Sequence, residues 1–191
     1  MSSRSVEESP RSWREEVFQD AARIWSESRP GWKSLIAALI VDPGLAAAFL
    51  FRASARLERG GHFVWAAIVG RLNLALHGVQ ISPLADLGPG LHLPHPSGVV
   101  VGNGVRSGED LTLFQNVTLG ARSLGGNDYP VLGRGVIVFA NSIVTGDIRL
   151  GDGCRVGAGS VVLRDVAAGT TVVGVPAVRV SQMEPSAATG P

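Results

Sequence analysis

Aliphatic residues recur at every sixth position through the second half of the chain. A first series runs from Ile81 to Val117 and a second from Leu132 to Val162, without an exception in either. An amphipathic helix would space its apolar residues three and four apart, and a half-buried strand would alternate them with polar residues. A period of six fits neither element alone. It predicts a coil with flat sides, in which each side is a short strand and a turn with one aliphatic side chain pointing inward.

A second set of positions supports the same coil. Four residues after the aliphatic anchors, the side chains are often small or narrow, as expected at an inward position near a corner. These residues are Ala85, Ser97, Val136, Ser142, Cys154, Ser160 and Val166. Stacked coils let each backbone group pair with the coil above or below. The repeats therefore predict a mainly β protein, a parallel β-helix with an aliphatic core.

The residues ahead of the repeats are spaced as in helices. Apolar side chains between Trp13 and Trp25 recur three or four residues apart, and Ser12 with Glu15 forms a capping-box pattern. Further helices are predicted over 33–41, 43–58 and 62–77. We expect a helical region over residues 11–78 and a β-helix domain over 79–180, with disordered tails at 1–10 and 181–191.

One segment interrupts the six-residue frame. Residues 121–130 read Ala-Arg-Ser-Leu-Gly-Gly-Asn-Asp-Tyr-Pro and are rich in residues that favour turns. They are expected to form a loop that leaves the coil at a corner. A tolerated insertion on a surface turn is the alternative interpretation.

Composition narrows the classes of function. The chain is 45% hydrophobic and 17% charged, and its net charge of +1 gives no general field that would attract nucleic acid. One cysteine excludes an internal disulfide and fits a cytoplasmic protein. The most apolar stretch, 35–51, is broken by Asp42-Pro43-Gly44, so we expect no membrane-spanning helix, while peripheral contact with a membrane stays open.

The block Leu93–Gly102, with the sequence Leu-Pro-His-Pro-Ser-Gly-Val-Val-Val-Gly, places His95 two residues after an inward-facing anchor, so its side chain should point outward. This block resembles the Asp-His-Ala-Thr-Gly signature of serine acetyltransferases, which is followed by an aliphatic run and a glycine. Three further blocks match the same family: 115–120, 156–162 and 174–177. Over about residues 45–180 the chain thus resembles the serine acetyltransferase-like branch of the hexapeptide-repeat acyltransferases, and its Pro-His-Pro block is similar to exopolysaccharide O-acetyltransferases.

The resemblance implies a left-handed β-helix, a homotrimer with active sites between subunits, and acetyl-CoA as co-substrate without a metal. It also implies that His95 is the general base, since a neutral imidazole can accept the proton of an acceptor hydroxyl. The resulting oxygen nucleophile would attack the thioester directly, without an acyl-enzyme. Cys154 is a poor nucleophile candidate because it occupies a small inward position, where thiols are usually inert. The loop would cover the acceptor pocket of the neighbouring subunit.

Acetyl-CoA would lie in a groove between subunits, as the family implies. The positions of this chain that match its contacts are Gly120, Ala140 and Ala158, with Arg164 or Arg179 able to meet the nucleotide phosphates. For each alanine, an equally acceptable interpretation is that a small residue suits a corner of the coil.

The acceptor site departs from the family pattern. Pro94 and Gln80 each occupy a position where serine acetyltransferases have an Asp. Asp128-Tyr129 stands where they have an Arg-His pair. Loss of these charged contacts should weaken the binding of an amino acid. We therefore expect Pro94, Gln80, Asp128 and Tyr129 to bind a saccharide hydroxyl or a specialised metabolite, with L-serine as the second possibility.

Three other classes of function stay open at this point. The chain could be a non-catalytic β-helix scaffold, or it could acetylate the amino group of an amino sugar. A metal-binding β-helix of the carbonic anhydrase type is disfavoured, because all four histidines (His62, His77, His92 and His95) precede residue 96 and leave the later coils without a ligand.

Overall fold

The structure is a computed structural model, and it describes residues 12–24 and 32–180; the tails expected at 1–10 and 181–191 lie outside the described residues. Within these residues, four helices precede the first strand: α1 (Trp13–Ala22), α2 (Trp32–Val41), α3 (Pro43–Arg59) and α4 (Phe63–His77). The capping box expected at Ser12 is wrong, since its side chain makes no capping hydrogen bond. Asp42 caps a helix instead, because its Oδ1 accepts a hydrogen bond from the Leu45 N–H at the start of α3.

Fourteen short strands follow up to residue 180, the last residue that the structure describes. They are β1 (Gln80–Ile81), β2 (Asp86–Leu87), β3 (Val100–Val101), β4 (Arg106–Ser107), β5 (Thr112–Leu113), β6 (Thr118–Gly120), β7 (Val131–Leu132), β8 (Ile137–Val138), β9 (Ile143–Thr145), β10 (Arg149–Leu150), β11 (Arg155–Val156), β12 (Val161–Val162), β13 (Thr171–Val173) and β14 (Val178–Arg179). They form three sheets, which we call sheet A (β1-β3-β6-β9-β12), sheet B (β10-β7-β4-β2) and sheet C (β14-β13-β11-β8-β5). Neighbouring strands pair in parallel except β13 and β14, so the chain winds through the sheets as a parallel β-helix.

The interior of the coil is the predicted column of aliphatic side chains. All thirteen anchors of the six-residue frame are buried, from Ile81 to Val162, and they belong to one continuous core. The small inward positions are also buried, with the exception of Ser97, which is exposed. Ser97 therefore marks a place where the coil departs from the simple repeat.

The strand register locates two departures from a regular coil. Val101 pairs with Leu119, eighteen residues on, and Val138 pairs with Val156 at the same interval. In the first coil the interval is twenty residues, as in Ile81 with Val101 and His92 with Thr112. Two extra residues therefore lie between His92 and Val100. In the third coil Leu119 pairs with Val144, so this coil holds seven more residues than a regular coil. The added residues form the expected loop after β6.

A buried ion pair between two helices also forms hydrogen bonds with the backbone of the first coil. Arg52 on α3 donates two hydrogen bonds to the Asp20 carboxylate on α1 (3.0 and 3.1 Å), and both side chains are almost fully buried. Asp20 Oδ1 in turn accepts hydrogen bonds from the N–H groups of Gly90 and Leu91 (2.9 and 2.8 Å). A Cβ at Gly44 would overlap the carbonyl oxygen of Leu93, so α3 begins in direct contact with the chain that leads to His95.

Within the described residues, no single helix is both long and apolar enough to cross a bilayer. The pair formed by residues 33–41 and α3 meets the length and composition criteria jointly, but it is bent by 112° at the break.

Candidate active site

His95 lies in a corner of the coil that is longer than its counterparts. Five residues separate the inward-facing Leu93 and Val99, whereas three residues fill the equivalent corners of the next coils: 114–116, 139–141 and 157–159. The added residues push the corner outward, and the His95 side chain is exposed, as the spacing predicted. Ser97 is displaced from the interior for the same reason.

Two stacked aromatic rings lie next to the imidazole. The ring centroids of Phe114 and Phe139 are 5.1 Å apart with an interplanar angle of 22°, and the His95 ring is 6.3 Å from that of Phe114, tilted by 59°. These two phenylalanines follow β5 and β8, which pair in register, so the stacking is fixed by the backbone ladder. The aromatic stack thus runs along the axis of the β-helix, starting beneath His95.

The same edge of the coil carries a column of corner residues. The Asn116 N–H donates to the carbonyl of Ser97, Asn141 N–H to that of Gln115, and Gly159 N–H to that of Ala140. These bonds align Ser97, Gln115, Ala140 and Ala158 from the first coil to the fourth. The structure therefore brings the His95 corner together with two of the predicted acetyl-CoA positions, Ala140 and Ala158, on one edge between sheets C and A.

The other predicted cofactor residues lie elsewhere on the chain. Gly120 ends β6 and pairs with Thr145, at the edge of sheet A opposite to the column. Arg164 is exposed and follows Leu163, whose carbonyl accepts a hydrogen bond from Arg122 at this second edge. Arg179 is exposed on β14, the outermost strand of sheet C. Within one chain, these three residues do not join His95.

The predicted acceptor residues divide in the same way. Pro94 is half-buried beside His95, and Gln80 is exposed on β1, opposite Val100 in the neighbouring strand. Gly78 packs against Ser97, so Gln80 and His95 flank the same corner.

Asp128 and Tyr129 lie at the far edge of sheet A. The Tyr129 ring covers Gly102 and Gly104, where a Cβ would collide with it, so these glycines leave the room that the ring occupies. Asp128 Oδ2 accepts a hydrogen bond from the Arg122 N–H at the other end of the loop. Its second oxygen, Oδ1, is buried and has no donor among the described residues.

Asp42 is a residue that sequence reasoning treated as a helix breaker and did not assign to the site. It is half-buried, and Gly44, two residues on, touches the carbonyl of Leu93. Its charge reaches His92, whose pKa is lowered by burial and by Arg23, while Asp42 opposes that shift. A carboxylate is thus present near the histidine corner, and the Asp-Pro-Gly turn was the signal that could have located it.

Two further questions about the site are whether the cysteine is a nucleophile and whether side chains that could hold a metal lie together. Cys154 is fully buried in the core, and burial raises the pKa of its thiol to about 11, so the nucleophilic thiolate is disfavoured at neutral pH. Over residues 12–24 and 32–180, no three His, Cys, Asp or Glu side chains are close enough together to hold a metal ion.

Comparisons with known proteins identify the family to which the chain is similar. Residues 129–164 match the family described as bacterial transferase hexapeptide (six repeats). The chain is 37% identical over 155 residues to a serine acetyltransferase of Synechococcus elongatus, covering 81% of this chain and 64% of the relative. It is 36% identical over 137 residues to a serine acetyltransferase of Helicobacter pylori, covering 71% of this chain and 80% of the relative. The chain thus spans slightly less than two thirds of the Synechococcus protein and most of the Helicobacter one.

Solved structures give the same result for the fold. The Neisseria gonorrhoeae serine acetyltransferase in complex with serine superposes with a TM-score of 0.79 at 34% identity, covering 88% of this chain and 69% of that one. The Brucella abortus serine acetyltransferase in complex with coenzyme A gives 0.78 at 28% identity, covering 88% and 68%. These matches confirm the expected left-handed parallel β-helix behind a helical segment, and they confirm the resemblance on which the expectation rested.

Proposed function

This chain belongs to the serine acetyltransferase family, and we propose that it is an acetyl-CoA-dependent O-acetyltransferase whose acceptor is L-serine. One observation carries the proposal: His95 projects from an extended corner directly above a column that contains Ala140 and Ala158. An exposed imidazole at the end of a column that includes small side chains can meet both a thioester and an acceptor hydroxyl.

His95 acts as a general base in this proposal. Its neutral imidazole accepts the proton of the serine hydroxyl as the oxygen attacks the carbonyl carbon of the acetyl thioester. A tetrahedral oxyanion forms and then collapses, which breaks the carbon–sulfur bond. The imidazolium returns its proton to the departing sulfur, so the products are O-acetylserine and coenzyme A, and the histidine ends neutral. Cys154 takes no part, since its thiol is buried in the core.

Small side chains at Ala140 and Ala158 let the pantetheine arm approach the backbone along the column. The corners of the coil are about 4.7–4.9 Å apart along the axis, as neighbouring strands are. An extended pantetheine arm can therefore run past several corners while its thioester reaches His95.

The acceptor contacts follow from the charges around the corner. Asp42 is the carboxylate we assign to the ammonium group of serine, because α3 begins against Leu93, two residues before His95. Gln80 offers a neutral carboxamide on the other side of the corner. In the proposed homotrimer, the loop 121–130 of a neighbouring subunit covers the site, which gives Asp128 and Tyr129 a route to the acceptor that they lack within one chain.

A saccharide or specialised metabolite is the second candidate acceptor. It was the acceptor we expected from the sequence, and the relatives' names favour serine over it. It stays a candidate because this chain has Asp128-Tyr129 where serine acetyltransferases have an Arg-His pair. A neutral polyol would meet a carboxylate and a phenol there.

The experiment is an acceptor panel monitored by release of the coenzyme A thiol, with the product identified by mass spectrometry. Purified full-length protein is given acetyl-CoA with L-serine, D-serine, glycerol or neutral sugars, and His95→Ala serves as the inactive control. The proposal expects L-serine to exceed each other acceptor in kcat/KM by at least about a hundredfold. A sugar turned over faster than L-serine would overturn the serine assignment, and equal thiol release by His95→Ala would overturn the mechanism.

A further inference from the structure

The last helix before the β-helix carries one arginine on an otherwise apolar sequence. Arg71 is the only Asp, Glu, Lys or Arg of α4. Its side chain is exposed, and it forms no side-chain hydrogen bond or ion pair with any residue that the structure describes. Surface arginines without a partner are common, so the surroundings of Arg71 decide whether it has a role.

A cavity of about 340 Å³ lies between α4 and the first two strands of sheet A, and Arg71 forms part of its wall. The residues that α4 contributes recur at helix spacing, so they form one side of the helix. They are Ala66, Ala67, Gly70, Arg71 and Leu74. Three of them have little or no side chain, and a Cβ at Gly70 would meet no atom within 4 Å. These small residues keep the space beside the guanidinium open.

The opposite wall of the cavity offers hydrogen-bonding groups without negative charge. Gln80, Ser82 and Asn103 line it, and no Asp or Glu among the described residues does. A cavity with one guanidinium, neutral polar side chains and no carboxylate suits an anion. The planar fork of an arginine matches the two oxygens of a carboxylate, which it can bind through paired hydrogen bonds.

Gln80 connects this cavity to the histidine corner. It lies in the cavity wall and also flanks the corner that carries His95, where Gly78 packs against Ser97. The acceptor site proposed above has Asp42 for the ammonium group of serine but no cation for its carboxylate. The loop supplies none at the place of the Arg-His pair, because an aspartate and a tyrosine stand there.

Two other arginines near the loop are less suitable for this carboxylate. Arg122 already donates a hydrogen bond to the carbonyl of Leu163 (3.0 Å). Arg106 lines a different groove, beside Tyr129, and Asp86 lines the same groove from the neighbouring strand. A carboxylate in that groove would meet the negative charge of Asp86. Arg71, by contrast, borders a cavity that holds no acidic side chain of the described residues.

We propose that Arg71 binds the carboxylate of the acceptor amino acid, and that the cavity between α4 and sheet A is the carboxylate end of the acceptor site. This inference rests on the proposed function, because it takes L-serine as the acceptor. Serine lies with its hydroxyl at His95, its ammonium group toward Asp42 and its carboxylate toward α4. Arg71 thereby determines the preference for an amino acid over an alcohol without a carboxylate.

Ethanolamine separates this contact from the rest of the reaction, because it has the hydroxyl and the ammonium group of serine but no carboxylate. The measurement is kcat/KM of the full-length protein with acetyl-CoA and each acceptor, from release of the coenzyme A thiol. Arg71→Gln should lower kcat/KM for L-serine by about ten- to a hundredfold, chiefly through KM, because the carboxylate loses a charged hydrogen-bond partner. The values for ethanolamine, and the KM for acetyl-CoA, should stay unchanged. Where turnover of ethanolamine is too slow to measure, its inhibition constant against L-serine replaces kcat/KM.

Two further variants make the comparison specific. Arg56→Gln, at an exposed arginine of α3 outside the cavity wall, is the matched control and should behave as the wild type with both acceptors. Arg106→Gln tests the rival cation beside the loop and should also leave the preference for L-serine unchanged. Because Arg71 is exposed and unpaired, thermal unfolding of Arg71→Gln should match that of the wild type.

Each outcome separates this inference from the proposed function. A loss in Arg71→Gln that is confined to L-serine supports it. Equal losses with both acceptors, no loss with L-serine, or a serine-selective loss in Arg106→Gln instead overturn the inference alone. A wild type that uses L-serine no better than ethanolamine overturns the proposed acceptor together with it.

Discussion

The β-helix departs from its eighteen-residue coil at two corners, and the two departures are built differently. The first adds two residues between His92 and Val100, and the second adds seven as the loop after β6. The chain that leads into the short insertion lies against α1 and α3, through Asp20 and Gly44, and the His95 side chain is exposed. The long insertion turns its candidate groups inward, since Tyr129 covers two glycines and Asp128 bonds to the loop itself.

This contrast shows that the longer insertion is not the better guide to chemistry within one chain. A rigidly supported corner with an exposed imidazole can act on a substrate directly. The groups of the loop lie away from His95 of the same chain, so in the proposed homotrimer they would meet an acceptor at the histidine of another subunit. The following predictions test that division, from the largest expected effect to the smallest.

Removing the support of the histidine corner should have the largest effect on stability. Asp20→Ala removes the closest carboxylate of the buried Arg52 guanidinium, leaving Glu16 at 4.0 Å, and also frees the N–H groups of Gly90 and Leu91. Breaking a buried pair in this way costs about 3–5 kcal/mol. Urea unfolding should show this loss of free energy of unfolding. Asp152→Ala removes an exposed pair with Arg134 and should cost far less, so equal losses in the two variants would contradict the account.

The loop should respond to steric change at the glycines beneath Tyr129. Gly104→Ala places a methyl group where the ring lies and should destabilise the protein by about 1–3 kcal/mol. In a Tyr129→Ala background the same change should be nearly neutral, because the space is then free. Thermal unfolding of the single and double variants measures this coupling, and additive losses would show that the ring does not occupy that space.

The aromatic stack should affect turnover more than binding. Phe114→Leu keeps an apolar side chain but removes the ring that lies beside His95. Aromatic pairs of this geometry are worth about 0.5–1.5 kcal/mol, which corresponds to a decrease in kcat of about two- to tenfold. Steady-state kinetics should show this decrease in Phe114→Leu with the KM for acetyl-CoA unchanged. Phe114→Tyr, which keeps the ring, should have a kcat close to that of the wild type. A change confined to KM would place Phe114 in the donor groove instead.

Acid should lower the free energy of unfolding modestly, in part through a histidine close to the same corner. Burial, together with Arg23, lowers the pKa of His92, and burial lowers that of His77, so both are less easily protonated in the folded chain than in the unfolded one. Below about pH 6.5 the unfolded chain binds more protons, and the free energy of unfolding should fall as the pH drops from 7 to 5. Urea midpoints across this range should fall less in His92→Asn than in the wild type. An identical fall in both proteins would exclude this histidine as a cause.

Much of the fold could be read from the sequence because the lumen of a β-helix admits one kind of side chain at a fixed interval. The six-residue frame predicted every buried anchor and the place of the loop. It concealed the two-residue insertion at His95, because each side of a coil has two inward positions that lie two residues apart. After the two inserted residues, counting six from Leu93 reaches Val99, which is the other inward position of its side. The series therefore stays aliphatic and does not reveal the insertion.

The candidate site was less accessible to sequence reasoning. The roles expected for His95, Ala140 and Ala158 came from the family resemblance and not from the six-residue frame. Asp42 escaped notice because a turn before a helix is sufficient to explain an aspartate there, and its approach to the first coil depends on how α3 packs. Asp128 and Tyr129 lie at the edge opposite to His95, so their contact with an acceptor would be made across the proposed subunit interface, which the six-residue frame does not encode.

The most direct test of the central claim compares two histidines that are three residues apart. With acetyl-CoA and L-serine, His95→Ala should lower kcat/KM by about a hundred- to ten-thousandfold, the range expected for loss of a general base, while coenzyme A affinity and thermal stability stay near those of the wild type. His92→Ala, in the same coil but with a half-buried side chain, should lower kcat/KM by less than about tenfold. Equal losses in both variants, or near-normal turnover by His95→Ala, would contradict the assignment of the extended corner as the catalytic centre.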